Sequence, residues 1–281
     1  MASVIANADM AAAWDGDEGD DWARDWQHYD QAVAVHHRAL MERAAITSSD
    51  HVLDIGCGNG EVTRASARRA VDGAALGVDL SSRMLEQARA LAAAEGLANA
   101  HFERADAQVH DFGAGVYDLV VSRFGAMFFA DRAAAFANIA TAMRPGGRLV
   151  TVAWQAVEHN EWIQAVRSTL ALGRTLPSPV VGAPGAVGLA DPDGVRAVLT
   201  AAGLGDIHID PLTAPFWVGA DASDAISFVR RIGMVRGLLQ GLDDADRVRA
   251  LGALDESIVA HETKDGVVYD SGVWLIEATK R

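Results

Sequence analysis

The chain has 281 residues, a single cysteine and a formal net charge of −14 at neutral pH. Such a charge argues against nucleic acid as a substrate, because neutralising phosphates needs a basic face. One cysteine excludes an internal disulfide and fits a reducing cytoplasm. No apolar run reaches the roughly 18 residues of a membrane helix, and the N-terminus lacks the basic-then-apolar pattern of a secretory signal. Half the residues are apolar, enough for a sizeable core.

The first dozen residues are featureless and are expected to be mobile. Asp15 to Asp21 is rich in acid and glycine and reads as a loop. A helix is predicted from about Asp21 to Ala45. Its Trp22, Trp26, Tyr29, Val33, His36 and Leu40 follow spacings of 4, 3, 4, 3 and 4, one stripe on an α-helix. That stripe either packs the helix on the domain or, in part, covers a ligand. His28 points away from it toward solvent, His37 lies on its edge, and Trp14 is placed to close over a site.

Val52-Leu53-Asp54-Ile55-Gly56-Cys57-Gly58-Asn59-Gly60 reads as a buried strand breaking into a glycine turn, with a helix opening at Glu61. A turn stripped of side chains lets a ligand lie against bare backbone. The glycines fall as G-x-G-x-G, whereas a dinucleotide fingerprint needs a small residue where Glu61 stands. Asp54 would repel a pyrophosphate but accept hydrogen bonds from an ammonium group. Cys57 is a small residue of the turn rather than a nucleophile. A second buried strand, Ala74 to Asp79, ends in an acid 19 residues after Gly60, where a carboxylate can hold a ribose diol. Ser81 caps the next helix, with Met84 and Leu85 turned inward. His101 to Gln108 is a third strand running into a loop, and Val116 to Arg123 a fourth strand. Pro145-Gly146-Gly147 stops a helix before a strand at Leu149 to Val152. Then come a helix over about Glu161 to Leu172 and a Pro/Gly-rich loop from Thr175 to Gly188. A further helix opens at Asp191-Pro192. The chain ends with a strand near Ile207 to Leu212, helices over 221–240 and 243–261, and a last strand near Val273 to Thr279. There is no internal repeat.

Asp54 to Gly60 resembles motif I of the class I S-adenosylmethionine-dependent methyltransferases. The pattern continues in Ser122-Arg123-Phe124-Gly125-Ala126-Met127-Phe128-Phe129-Ala130-Asp131, Arg144 to Leu149 and Asn160-Glu161-Trp162, similar to bacterial small-molecule enzymes of the "type 11" group. The likeness covers roughly residues 10 to 160 and, more weakly, the C-terminal end. It implies an α/β fold: a Rossmann-like seven-stranded, mostly parallel sheet with an antiparallel last strand inserted beside the sixth, helices on both faces and a helical cap. It implies an N-terminal helical lid over 1–47 and a methyltransferase domain over 48–281, with cap insertions at about 155–204 and 219–263. The cofactor would be S-adenosylmethionine, leaving as S-adenosylhomocysteine. It would be held by Asp54, Gly56, Cys57, Gly58, Asn59, Gly60, Asp79, Leu80, Met84, Ala107, Gln108, Ser122, Arg123 and Phe124, with Asp106 accepting from the adenine amino group.

The chemistry then needs donor and acceptor at near-attack distance and no covalent group from the protein. Where the acceptor must shed a proton, His36 and His159 are candidate bases with Tyr29 as hydrogen-bond partner. Trp22, Trp26, Phe128, Trp154, Trp162 and Trp217 are candidates to hold a flat acceptor, an aromatic or terpenoid-like metabolite methylated on carbon or oxygen. Phe124 and Phe216 belong to the same aromatic set. No metal, nucleic acid or membrane partner is implied, and an exposed apolar face on the late helices would allow a homo-oligomer. Two rivals remain: a protein that binds the same cofactor without moving its methyl group, and a nicotinamide-dependent oxidoreductase. The glycine spacing, Asp54 and the lack of a Tyr-x-x-x-Lys pair count against the second.

Overall fold

The computed structural model describes residues 4–281. Its strands are β1 (His51–Ile55), β2 (Ala74–Asp79), β3 (Ala100–Arg104), β4 (Tyr117–Arg123), β5 (Met143–Trp154), β6 (Leu204–Gly219), the two-residue β7 (Glu262–Thr263) and β8 (Gly266–Lys280). They form one sheet in the order β3-β2-β1-β4-β5-β8-β6, with β7 paired to β8. Pairing is parallel from β3 through β5, and β8 runs antiparallel to both β5 and β6. This is the Rossmann-like arrangement, with the last long strand inserted between the fifth and sixth. Continuous apolar runs explain the central strands: Leu53, Leu119 and Val120 are fully buried, as a strand covered on both faces requires. Each such side chain contributes about 1.5–3 kcal/mol of burial.

The helices are α1 (Ala8–Trp14), α2 (Asp17–Arg24), α3 (Trp26–Ala32), α4 (Ala34–Ala44), α5 (Glu61–Arg69), α6 (Ser82–Ala94), α7 (Arg132–Ala142), α8 (Glu161–Ala171), α9 (Pro192–Ala201), α10 (Ala222–Val229), α11 (Gly233–Leu238) and α12 (Asp244–Ala260). Several starts follow local chemistry. Ser81, Asp131, Asp191, Asp221 and Asp243 each accept a hydrogen bond from an amide of the first turn. Among the described residues no helix is long and apolar enough to cross a membrane.

Several local expectations are corrected. The segment expected to be featureless contains α1, and the acid-rich stretch expected as a loop is mostly α2. The single helix over 21–45 is three pieces, interrupted at Asp25 and Val33. The one-residue interruptions preserve the spacing, so Trp22 and Tyr29 still meet, stacked with centroids 3.7 Å apart. The helix predicted over 221–240 is split into α10 and α11. Both late strands are far longer than predicted. Val267 to Gly272 of β8 pairs with β6 past the point where β5 ends, so the two strands run on as a two-stranded ribbon. The turn-like Asp270-Ser271-Gly272 hides this in the sequence. In the fold Ser271 Oγ donates to Ala214 O (2.7 Å) and Gly272 N donates to Asn160 Oδ1 (3.2 Å), so strand pairing prevails over turn preference. Elements α3, α8 and α10 pack on this ribbon.

Candidate active site

After β1 the chain turns sharply on glycines. Gly56 has φ +67°, and a Cβ there would lie 2.7 Å from the Cα of Gly125. The turn after β1 and the loop after β4 therefore touch backbone to backbone. Gly60, at φ +77°, opens α5, and a Cβ there would strike the Phe102 ring at 2.6 Å. Asp79 Oδ2 accepts from Gly58 N (2.8 Å) and its Oδ1 from Ser81 N (2.9 Å), so one carboxylate sets both the turn and the start of α6. Burial raises the Asp79 pKa, against the pull of these amides. Asp54 is 1% exposed; its Oδ2 accepts from Thr63 Oγ1 (2.6 Å) and its Oδ1 has no partner. Burial pushes the Asp54 carboxyl up to about 7, with Thr63 and Arg123 opposing and Asp79 adding to the rise. Cys57 is buried and its thiol is pushed up in pKa by that burial, which suits a small turn residue and not a nucleophile.

Beside the turn lies a cavity of about 360 Å³. One half is bounded by Asp54, Gly56, Cys57, Gly58, Asn59, Asp79, Leu80, Met84, Asp106 and Ala107. The other is aromatic, with Trp14, Trp22, Tyr29, Phe124, Phe128, Trp154, Trp162 and Phe216. Phe124 stacks on Trp154 (centroids 4.2 Å) and Trp162 on Phe216 (4.7 Å). Phe124 is a non-glycine residue at φ +62°, a strained conformation fixed by the close approach of Gly125 to Gly56. Among the described residues six buried polar side-chain atoms have no partner, and four belong to residues lining this cavity: Asp30 Oδ2, Asp54 Oδ1, Asn59 Oδ1 and Trp162 Nε1. Native interiors leave few such groups unpaired, so their clustering marks a place built for a polar ligand.

The fold does not bring every predicted residue here. Gly60, Gln108 and Ser122 support the site from behind. Gln108 donates its backbone N–H to Asp106 Oδ1 (3.0 Å), and Ser122 Oγ donates to Ile55 O (2.7 Å) while accepting from Ala126 N (3.0 Å). Trp26 and Trp217 do not line the cavity, because α3 turns Tyr29 and Asp30 toward it and Trp217 packs on the His28 ring (4.8 Å). His28 is not solvated: it is half-buried, stacked on Phe228 (3.7 Å) and bonded to Val218 O (2.9 Å). Neither candidate histidine base faces the cavity. His159 is exposed at the end of a short 3-10 turn. His36 is fully buried, with Nε2 3.0 Å from Ser271 Oγ, and ties α4 to the ribbon. Burial, aided by Arg123, lowers its pKa to about 4, so it is neutral at pH 7. Tyr29 does line the cavity, with its hydroxyl raised in pKa by burial.

Asp106 also departs from expectation. Its Oδ2 accepts from Ala6 N (2.9 Å) and Asn7 N (2.8 Å), and Asn7 Nδ2 donates to Phe128 O (2.9 Å). The carboxylate assigned to an adenine amino group thus fastens the N-terminal segment across the site. Further polar ties secure this segment. Asp15 Oδ1 accepts from Ser82 N (2.8 Å), Trp22 O accepts from Asn59 Nδ2 (3.0 Å), and Arg236 pairs with Glu18 (2.7 Å) and Asp21.

Sequence reasoning missed Asn7, Glu18 and Asp30. Asp30 follows Tyr29 on α3, one residue off the aromatic stripe, and both line the cavity. Its Oδ1 accepts from Arg123 Nη2 (2.7 Å), and Arg123 also pairs with Glu61. Burial raises the Asp30 carboxyl to about 6, with Arg123 opposing and Glu61 adding to the rise.

A family model described as a methyltransferase domain matches residues 52–147, from β1 to the start of β5. The biotin biosynthesis bifunctional protein BioCD of Bordetella avium (strain 197N) is 34% identical over 164 residues, 58% of this chain and 32% of that protein. Aklanonic acid methyltransferase DauC of Streptomyces sp. (strain C5) is 33% identical over 113 residues, 40% of this chain and 51% of the relative. The chain spans about a third to a half of the length of these relatives. Among solved structures, YcgJ from Bacillus subtilis superposes with a TM-score of 0.57 at 20% identity, covering 88% of this chain and 98% of that one. Phosphoethanolamine N-methyltransferase 2 of Haemonchus contortus, in complex with S-adenosylmethionine, gives 0.60 at 17% identity, covering 99% and 60%. At these identities the superpositions bear on the fold alone. Sheet order, glycine turn and domain match together define the class. Residues 52–147 belong to the class I, Rossmann-like methyltransferase family.

Proposed function

We propose that this chain is an S-adenosylmethionine-dependent methyltransferase acting on carbon or oxygen of a small, aromatic or terpenoid-like acceptor, with residues 1–47 as its lid. The observation that carries the reading is the set of partnerless polar atoms on residues that line one cavity, half backbone turn and half aromatic. The turn half fits the cofactor. Asp54 Oδ1 and Asn59 Oδ1 are buried acceptors with no donor, matching an ammonium group, and the bare glycines leave room beside them. Asp79 lies at the cavity wall where a ribose diol would be held. When bound, this cofactor supplies an electrophilic methyl group on a sulfonium. The protein's part is to hold both molecules in line, an effect worth up to about 7–11 kcal/mol, and to keep water out under the lid. Ring faces such as those of Trp14 and Phe128 attract a cation, and the acids at the wall favour one further.

Isothermal titration with S-adenosylmethionine, S-adenosylhomocysteine and NADH tests this. Tight binding of both sulfur ligands and none of NADH is expected. Asp79→Ala, which removes two charge-assisted amide contacts of about 1.5–3 kcal/mol each, should weaken both sulfur ligands at least tenfold. Binding of NADH alone would end the methyltransferase reading. Binding of both sulfur ligands with no methyl transfer to any acceptor would favour a protein that holds the cofactor without using its methyl group.

A further inference from the structure

Two of the four partnerless atoms on the lining residues are assigned above to the cofactor; the other two are Asp30 Oδ2 and Trp162 Nε1. They are opposite in kind, since an ionised carboxylate only accepts and an indole N–H only donates. They stand at the ends of one connected run. Asp30 holds Arg123 at 2.7 Å, and the next residue, Phe124, stacks on Trp154 at 4.2 Å. Trp154 in turn lies against Trp162 with centroids 5.5 Å apart. Between the two polar ends are flat ring faces.

The charge of the wall narrows the class of molecule further. Five acids line the cavity, Glu18, Asp30, Asp54, Asp79 and Asp106, against one base, Arg123, which already pairs with Asp30 and Glu61. Among the described residues the lining therefore holds no cation without an acid partner for a phosphate or carboxylate. We propose that Asp30 and Trp162 select the methyl acceptor: a flat, uncharged hydroxyaryl ketone, its hydroxyl donating to Asp30 and its carbonyl oxygen accepting from Trp162. The assignment rests on the methyltransferase reading, because it supposes a second substrate in the aromatic half. A buried site built for two hydrogen bonds rejects analogues that lack them, since its own groups are then left unpaired.

The test is isothermal titration of the full chain loaded with S-adenosylhomocysteine. The probes are 6-hydroxy-2-acetylnaphthalene, 2-naphthol, 2-acetylnaphthalene and 2-naphthoate. The hydroxy ketone should bind tightest and the carboxylate weakest. Asp30→Asn should cost the two hydroxyl-bearing probes about tenfold and spare 2-acetylnaphthalene. Trp162→Phe should cost the two ketones about tenfold and spare 2-naphthol. Equal losses across the series, a carboxylate that binds as well as the hydroxy ketone, or no probe bound by a protein that binds S-adenosylhomocysteine would each overturn the assignment. Failure to bind S-adenosylhomocysteine would instead end the underlying reading. Should Asp30→Asn not fold, because Arg123 loses an ion-pair partner, the probe ranking on the unaltered chain and the Trp162→Phe series still decide.

Discussion

Asp54 shows how one buried side chain can carry a pH signal. Its carboxyl sits near 7 because burial disfavours the charged form, and a bound ammonium would favour that form. Below about pH 7 binding must therefore release a proton, so affinity for S-adenosylmethionine should climb between pH 5.5 and 7.5. In Asp54→Asn the affinity should be weaker and level over that range. Parallel curves for the two proteins would show that Asp54 does not meet the ligand. Asp30 is similar in burial but differs in company. Arg123 of β4 holds one oxygen, Glu61 of α5 shares that arginine, and His37 of α4 stands 3.6 Å from Glu61 Oε2. Such a group is poised near neutrality, and its second oxygen has no hydrogen-bond donor, a combination common at functional sites.

The N-terminal segment is held by polar ties where the sheet is held by apolar packing. Two backbone amides on Asp106 fix residues 6 and 7, and ion pairs to Arg236 fix α2. Ties of this kind are individually modest, and the elements that use them open before the core does. Ala6→Pro removes one amide donor and leaves Asp106 in place. We expect this variant to release S-adenosylhomocysteine about tenfold faster in stopped-flow and to be cut sooner by protease within α1. Unchanged release would mean that the segment does not gate the cavity. The ribbon of β6 and β8 plays the opposite part. His36, Ser271 and Ala214 O form a buried chain that fastens α4 to it.

Across the whole molecule the titrating groups pull in two directions. His36 and His37 lie near 4 in the fold, below their ordinary 6.5, mainly through burial. Their contribution to stability is present above pH 6.5 and is lost as pH falls toward 4. Asp30 and Asp54 are raised to about 6 and about 7, so theirs is full below about 4 and lost as pH rises through those values. Stability should thus fall on acidification from 6.5 to 4.5 by less than the histidines alone would dictate. His36→Gln should be weaker at neutral pH yet flatter over that interval, as urea midpoints at pH 7.5, 6.5, 5.5 and 4.5 would reveal. An equal slope in both proteins would mean that His36 is not the group being charged.

Much of the turn half of the cavity was legible in the sequence because it is local. A strand of apolar residues, a run of glycines and an acid at the next strand end dictate backbone geometry over a few residues each. Ser81 and Asp191 likewise mark helix starts through contacts two or three residues away. The aromatic half of the cavity depends on residues far apart in the chain. Asp30 and Arg123 are separated by 93 positions, and His36 and Ser271 by 235. Their meeting is decided by how α3 and α4 pack on the ribbon. Asp106 makes the contrast plain: its place after β3 follows from spacing, but its partners at Ala6 and Asn7 come from the N-terminal segment folding back over the sheet. By itself the sequence determined the turn, the sheet that bears it and the family that residues 52–147 match. Only the tertiary structure decided which side chains line the cavity, because facing is a property of packing and not of order along the chain.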